Sequence, residues 1–396
     1  MIERDKVWTG QHNRPLVIEG PVGLYDTTLR DGEQTVGVVL GPEQKLEIAH
    51  ALDQLRVDRI EAGFPRVSPD DAEAIRLIMA AGLRAEVWGF SRAVSADVDA
   101  LIELGVSATV IESPVSDAKL DAYGLDRAEV ERRVVAAVSH ARAHGIRVAY
   151  FGVDGSRADL GFLERIYLAA LEAGAEEIVV VDTIGAAAPE TVELLVSSAR
   201  DWVGPGVPIH FHGHNDFGLA TASAVAAVRA GATWIQGTVN GMGERAGNAN
   251  LVEVALALEA LYGVPTNLHL DRAREVSDLV RRLSGYELEP WKPVVGENLF
   301  VRESGAVASQ FHDPPAIEPY SADLVGAERR IVLGKKSGLD SIRIACEELG
   351  LAVPEENYGQ LLAAVKALSA RERRLVTAEE FREMIALISA PFRTKP

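Results

Sequence analysis

One unit recurs along the first two-thirds of the chain. A short apolar, β-branched run is followed by a polar turn, an amphipathic helix, a glycine and the next run. The runs are Val22–Thr28, Val57–Gly63, Ala85–Phe90, Ala108–Ser113, Ile146–Gly152, Glu177–Asp182, Val207–Gly213 and Thr233–Val239. They are continuously apolar rather than alternating, as expected of strands buried on both faces. Between them, Ser68-Pro69 places a capping oxygen before a proline at the first helical position. Gly82, Gly105, Gly145, Gly174 and Gly231 each close a helix where a left-handed residue is wanted. Eight such units predict an α/β fold, a closed (β/α)8 TIM barrel. An open doubly wound sheet is the alternative, but no G-x-G-x-x-G follows the first run.

The repeat stops near Gly263–Pro265. Residues 286–338 are rich in Gly and Pro and poorly periodic, and helical periodicity returns from Leu339. Thr377 with Glu380 forms a capping box that opens a last helix. The expected organisation is an exposed leader over 1–20, a barrel over 21–285, and a linker with a small, mainly helical C-terminal subdomain over 286–396.

Composition narrows the function classes. The 396 residues are 47% hydrophobic and 25% charged, as in an ordinary globular protein. No apolar run is long enough for a bilayer, and the polar N-terminus lacks a signal core. A single cysteine, Cys346, excludes an intrachain disulfide framework, and a cytoplasmic location is the expectation. The net charge of −18 argues against nucleic acid. An anionic substrate would therefore need local positive charge, from a metal or from arginines.

Active sites of such barrels lie at the C-terminal ends of the strands, and three polar segments fall there. The first is YDTTLRDGEQT, residues 25–35. Asp31 suits a hard metal ion, Arg30 suits a carboxylate or oxyanion, and Asp26 is placed to orient either. The second is IHFHGHNDFG, residues 209–218. Strand alternation points His212 and His214 to one side, so both imidazoles can serve one ion. His210 lies deeper and reads as structural, while Asp216 is a candidate to hold a ligand imidazole in the right tautomer. The third is TVNGMGERAGNANL, residues 238–251. Its glycines allow close backbone approach, Asn248 offers a neutral oxygen, and Glu244-Arg245 could brace the loop. One carboxylate, two imidazoles and an amide oxygen make a mixed N/O site suited to Mn²⁺, Mg²⁺, Co²⁺ or Zn²⁺. Two open positions could chelate a 2-oxoacid, with the ion as a Lewis acid on its carbonyl. Neither a G-x-S-x-G elbow nor a P-loop is present, and the cysteine lies outside the barrel, so nucleophilic and phosphoryl-transfer chemistry is unsupported.

The motifs LRDGEQ, IEAGFP, PVSD, SRAD, VDTIG, HGHND, NGMGERAGN, VGEN and GKKSG occur in that order from about Leu24 to Gly338. Together they resemble the homocitrate synthase and 2-isopropylmalate synthase family of metal-dependent barrels, which includes hydroxymethylglutaryl-CoA lyase. The flavour is closest to bacterial homocitrate synthases that serve nitrogenase. The resemblance implies Asp31, His212, His214 and Asn248 as metal ligands and Arg30 as the catalytic arginine. It implies Thr183 on the substrate carboxylate, with Arg30, Gln34, Arg92, Ser113 and Arg157 as further substrate contacts. It also implies condensation of an acyl-CoA, usually acetyl-CoA, with a 2-oxoacid, and a homodimer whose C-terminal segment reaches over the partner's site. The long regulatory domain of the isopropylmalate synthases is not expected in a chain ending at Pro396.

Departures from the family pattern fall on the acyl-CoA side. The acidic residue of E-D-A-S-R is Val153, the two histidines of H-E-S-G-I-H are Arg302 and Val307, and a catalytic tyrosine aligns with Ile317. Lys336 replaces the histidine of GKHSG. Removing a proton from a thioester needs a positioned base, worth roughly a hundred- to ten-thousand-fold. Arg302, Lys336 and Tyr320 are the replacement candidates for that proton transfer. Three readings follow. The first is a homocitrate-synthase-like acyltransferase. The second is a CoA-independent aldolase, joining a metal-bound oxaloacetate or pyruvate enolate to an aldehyde, one bearing a phosphonate among the candidates. The third is a metal-binding relative without catalysis.

Overall fold

Eight parallel strands close into a barrel in chain order, β1 to β8, in the computed structural model. They are β1 Gly23–Asp26, β2 Arg59–Glu61, β3 Glu86–Arg92, β4 Ala108–Pro114, β5 Arg147–Val153, β6 Glu177–Asp182, β7 Ile209–Gly213 and β8 Trp234–Gly237. Each coincides with or overlaps one of the eight apolar runs. Closure is the pairing of β1 with β8, where Leu24 faces Ile235 and Asp26 faces Gly237. The open-sheet alternative is thereby excluded. The structure describes residues 2–18 and 21–389. Met1, Glu19, Gly20 and residues 390–396, which belong to the expected leader and C-terminal subdomain, lie outside the described residues.

Helices α1 Pro42–Gln54, α2 Pro69–Ala80, α3 Ser95–Glu103, α4 Asp117–Tyr123, α5 Arg127–Ala143, α6 Leu160–Glu172, α7 Pro189–Val203, α8 Ala220–Arg229, α9 Leu251–Tyr262 and α10 Ala273–Ser284 connect and follow the strands. The Ser68 hydroxyl caps α2 by accepting from the Asp71 N–H at 3.1 Å. The five helix-closing glycines all have positive φ, from 65° at Gly82 to 110° at Gly174. The barrel interior is filled by Tyr25, Trp88, Phe90, Val110, Phe151, Val179 and Val181, with Val153 packed against them. These residues make it a packed core rather than a pore.

Two compact units are resolved by their internal contacts: Gln11–Leu288, and Glu289 onward together with Glu3–Gly10. The second unit holds two short strands, β9 Val301–Arg302 and β10 Arg330–Ile331, and helices α11 Gly305–Ala308, α12 Leu339–Glu348, α13 Tyr358–Glu372 and α14 Ala378–Ser389. Thr377 and Glu380 form the expected reciprocal cap, at 2.9 and 3.2 Å. Its core gathers Ile342, Cys346, Leu361, Val365 and Phe381. No described residue of the leader is buried, and it is tied down at its start. Val7 bridges Tyr320, the Trp8 N–H donates to the Pro319 carbonyl at 2.8 Å, and Lys6 pairs with Asp323 at 2.8 Å. These residues are secured to their own chain, through backbone groups whose pairing no local pattern announces. No helix among the described residues is long and apolar enough to cross a membrane.

Candidate functional site

After β1 the chain doubles back. The N–H groups of Arg30, Asp31 and Gly32 converge on the Thr27 carbonyl at 3.2, 2.8 and 3.0 Å. Asp26, expected to orient Arg30 or Asp31, is bonded to neither. It accepts from the Thr28 N–H and hydroxyl at 2.8 and 2.9 Å, and that hydroxyl accepts from the Val239 N–H at 2.9 Å. Asp26 thus pins the turn to the loop after β8, and the turn sets Arg30 and Asp31 at the mouth.

His212 and His214 meet Asp31 there. Asp31 Oδ2 lies 3.2 Å from His212 Nε2 and 3.6 Å from His214 Nε2, and the two Nε2 atoms are 3.4 Å apart. All three side chains are buried. Burial opposes ionisation of Asp31, but Arg30 and the imidazoles outweigh it and hold the carboxyl well below its usual range. Burial, and then the His212 ring beside it, push His214 down to about 4. At neutral pH this is an ionised carboxylate facing a neutral imidazole, which is the protonation state a cation requires.

Asn248 joins from the neighbouring loop, through a bridge to His214. Its Nδ2 donates to the Met242 carbonyl at 2.9 Å, which leaves Oδ1 as the atom available to a ligand. Asp31 Oδ2 and Asn248 Oδ1 are both buried without a hydrogen-bond partner among the described residues. Each such orphan costs about 1–3 kcal/mol. Two donorless oxygens beside two facing imidazole nitrogens fit a divalent cation with N/O ligands. Backbone crowding holds this loop: Gly247 has φ +81°, and a Cβ there would sit 1.9 Å from the Gly241 carbonyl oxygen.

Arg30 stands beside this cluster. Its Nε donates to Glu61 at 2.5 Å, its guanidinium lies 4.1 Å over the Phe90 ring, and its Nη2 is buried without a partner among the described residues. Glu61 also accepts from the Tyr25 hydroxyl at 3.0 Å. A rigid arginine with one spare donor is suited to an anionic oxygen.

The other substrate-contact candidates separate. Gln34 is exposed and lines a cavity of about 410 Å³ with Arg30, Phe64 and Phe90. The Thr183 hydroxyl accepts from the Asp154 N–H at 2.7 Å and keeps its own proton to donate. Arg92 is bound to Asp97 at 2.7 and 3.0 Å, and Arg157 to Asp154 at 2.6 Å. The Ser113 hydroxyl bonds Tyr150 at 2.7 Å. It therefore lies on the helix side of β4, opposite to the face that carries Val110 and Glu112.

One expectation about the loops is corrected, and the Glu244–Arg245 brace is extended. Asp216 does not hold an imidazole; it pairs with Arg245 at 2.9 Å. Arg245 also donates to the Thr183 carbonyl at 2.7 Å, and it lies 3.6 Å from Glu244. The brace therefore runs from the β8 loop to the β6 and β7 loops. In the second unit, Arg302 donates to the carbonyls of Leu299 and Val301 at 2.7 and 3.1 Å and lies 3.4 Å from Glu318. The Lys336 side chain is exposed, and Tyr320 packs its ring on Phe300 at 5.8 Å.

Several site residues escaped the sequence reading. Glu61, Glu112 and Gln236 each look like an isolated polar residue in an apolar run. Glu112 lies near the C-terminal end of β4, between Arg92 and Phe151, and lines a cavity of about 330 Å³. Burial, opposed in part by Arg30 and Arg92, pushes its carboxyl up to about 7. Inward polar residues at a period of two within such runs were the available signal.

Comparison with known proteins gives a consistent pattern. The HMGL-like family model matches residues 21–280, and the homocitrate synthase post-HMGL domain-like model matches 294–373. Homocitrate synthase AksA of Methanopyrus kandleri is 43% identical, over 94% of each chain. A 2-isopropylmalate synthase of Methanocaldococcus jannaschii is 40% identical, over 91% of this chain and 70% of that one. Among solved structures, an HMG-CoA lyase from Acinetobacter baumannii, in complex with coenzyme A and 3-methylmalate, superposes with a TM-score of 0.60. It is 20% identical and covers 67% of this chain and 92% of its own, a likeness of fold.

Proposed function

Since the chain belongs to the HMGL-like family, we propose that it is a divalent-metal-dependent acyltransferase that condenses an acyl-CoA, acetyl-CoA first, with a 2-oxoacid. The carrying observation is the buried Asp31, His212 and His214 cluster, with the donorless Asn248 oxygen beside it. The synthase names of the relatives support acyl transfer over the aldolase and non-catalytic readings.

Asp31, His212, His214 and Asn248 would hold the cation. Bound there, it would supply Lewis-acid polarisation of the 2-oxoacid carbonyl. Arg30 turns its unpaired Nη2 toward the developing oxyanion, and Glu61 and the Phe90 ring prevent that guanidinium from drifting. The Thr183 hydroxyl donates a hydrogen bond to the substrate carboxylate, and Gln34 lines the approach.

Proton removal from the thioester falls to a carboxyl in the barrel. Glu61 is committed to Arg30 and Tyr25, and Asp31 to the cation site. Glu112 makes no side-chain hydrogen bond among the described residues, stands at the mouth beside Val153, and is poised near neutrality. Lys336 and Tyr320 are the further candidates from the second unit, whereas the carbonyl contacts of Arg302 fit a bracing role. A homodimer, implied by the resemblance, and a cytoplasmic location belong to the same reading.

The test is thiol release from acetyl-CoA with Mn²⁺ and a panel of 2-oxoacids. Turnover should require both the metal and one 2-oxoacid. It should fall at least about a hundredfold in Asp31→Ala and in Glu112→Gln. Metal-dependent loss of oxaloacetate with an aldehyde, without thiol, would instead establish the aldolase.

A further inference from the structure

A chain of hydrogen bonds crosses the barrel floor beneath His212 and ends on its ring. It starts at Arg59, whose guanidinium is stacked between Trp88 and Trp234, 4.5 and 3.6 Å from the ring centres. Arg59 grips Glu177 with both Nη atoms, at 2.6 and 2.9 Å. Glu177 Oε2 faces His210 Nε2 at 2.5 Å. His210 Nδ1 faces Gln236 Nε2 at 3.2 Å, and Gln236 Oε1 faces His212 Nδ1 at 3.1 Å. Glu177, His210, Gln236 and His212 are all buried, and they come from β6, β7 and β8.

Each link in this chain has one allowed direction. Glu177 is bound in a fork by arginine and can only accept, so His210 must carry its proton on Nε2. A neutral His210 then presents a lone pair at Nδ1, which takes a proton from the Gln236 amide nitrogen. The amide is left with its carbonyl toward His212, and a carbonyl can only accept. His212 must therefore carry its proton on Nδ1. Its Nε2 keeps a lone pair, aimed at the centre shared with Asp31 and His214. That Nε2 lies 3.2 Å from Asp31 Oδ2 and 3.4 Å from His214 Nε2.

We propose that Gln236, His210 and Glu177 are positioning residues that lock His212 in its metal-binding tautomer through this directed chain. The proposal rests on the reading of Asp31, His212 and His214 as a cation site, and it adds a device that reading does not contain. Among the described residues His214 has no such lock, since its Nδ1 is buried without a partner there. The two ligand imidazoles therefore differ: one arrives pre-set by the protein and the other is set by the ion. With Gln236 removed, His212 is free to hold its proton on either nitrogen and to turn about its side-chain bonds. Part of the binding free energy would then go to selecting the right form. Losses of this kind cost about 10–100-fold in metal affinity.

The experiment uses the full chain stripped of metal, with Mn²⁺ as the probe and its dissociation constant read by calorimetry. Gln236→Leu should bind Mn²⁺ about 10–100-fold more weakly. Gln236→Glu keeps an acceptor at the same place and should stay within about threefold of the wild type. His210→Phe keeps a ring between Tyr25 and Trp234 but frees the amide, and it should fall between the two. Thermal melting checks that each variant is folded. Long-range proton–nitrogen correlation on histidine-labelled, metal-free wild type reads the tautomers directly, without any variant. It should place the proton of His212 on Nδ1 and that of His210 on Nε2. A His212 proton found on Nε2, or unchanged Mn²⁺ affinity in folded Gln236→Leu, overturns the proposal. Both readouts are independent of turnover. The expected tautomers and affinities without thiol release would leave the positioning chain standing and sink the acyltransferase reading alone.

Discussion

Asp26 shows what one buried carboxyl does to this protein. It is fully buried and bonded to Thr28, and burial pushes it up to about 7 despite those hydrogen bonds. An unfolded aspartate titrates near 3.9. The folded state therefore holds the proton more tightly. The stability from this group is present in full below about pH 4 and is lost as pH rises through about 7. Asp26→Asn carries no such dependence, and its amide can still accept from the Thr28 N–H. The variant should gain in melting temperature relative to the wild type between pH 5 and pH 8. A widening deficit over that interval would refute the assignment. Asp26 also shows the limit of reading residues singly. Its place in YDTTLRDGEQT suggested a partner for Arg30 or Asp31, but the turn around the Thr27 carbonyl directs it to Thr28 instead.

At the scale of elements, glycines of similar φ carry different weight. Gly82 closes α2 at φ +65° with open space around its missing Cβ. Alanine there should cost only the conformational penalty, about 1 kcal/mol. Gly247 has φ +81° and a backbone oxygen where the Cβ would be. Gly247→Ala should cost more than that, and should weaken Mn²⁺ binding about tenfold or more, because Asn248 is the next residue. Melting temperature and calorimetric Mn²⁺ titration of both variants check the contrast. The helix stops were legible, since Gly82, Gly105, Gly145, Gly174 and Gly231 each follow an apolar periodicity. The crowding at Gly247 was not, because the opposing oxygen belongs to another stretch of the loop.

Over the whole molecule, the proposed cation site joins the ends of the barrel. Asp31 follows β1, Asn248 follows β8, and the two histidines come from β7 and its end, so an ion there spans the closure between the first and last strands. A ligand at a hundred times its dissociation constant adds about 2.7 kcal/mol to the folded state. Mn²⁺ should therefore raise the melting temperature of the stripped wild type by several degrees, and should leave Asp31→Ala unmoved. An equal rise in both would place the ion elsewhere.

The eight-unit barrel, its helix caps and the aspartate and histidines at its mouth follow from the linear order of residues. Periodicity and end signals are local, and a parallel barrel converts strand number into position around a ring. Tertiary structure alone decided the rest: the Arg59, Glu177, His210, Gln236 and His212 chain, the pairing of Asp216 with Arg245, the place of Glu112, and the attachment of residues 3–10 to residues 319–323. Each depends on which groups from separate segments end within about 3 Å of one another. That proximity is set by strand register and by the demand of every buried polar group for a partner, and neither is visible along a single stretch of chain.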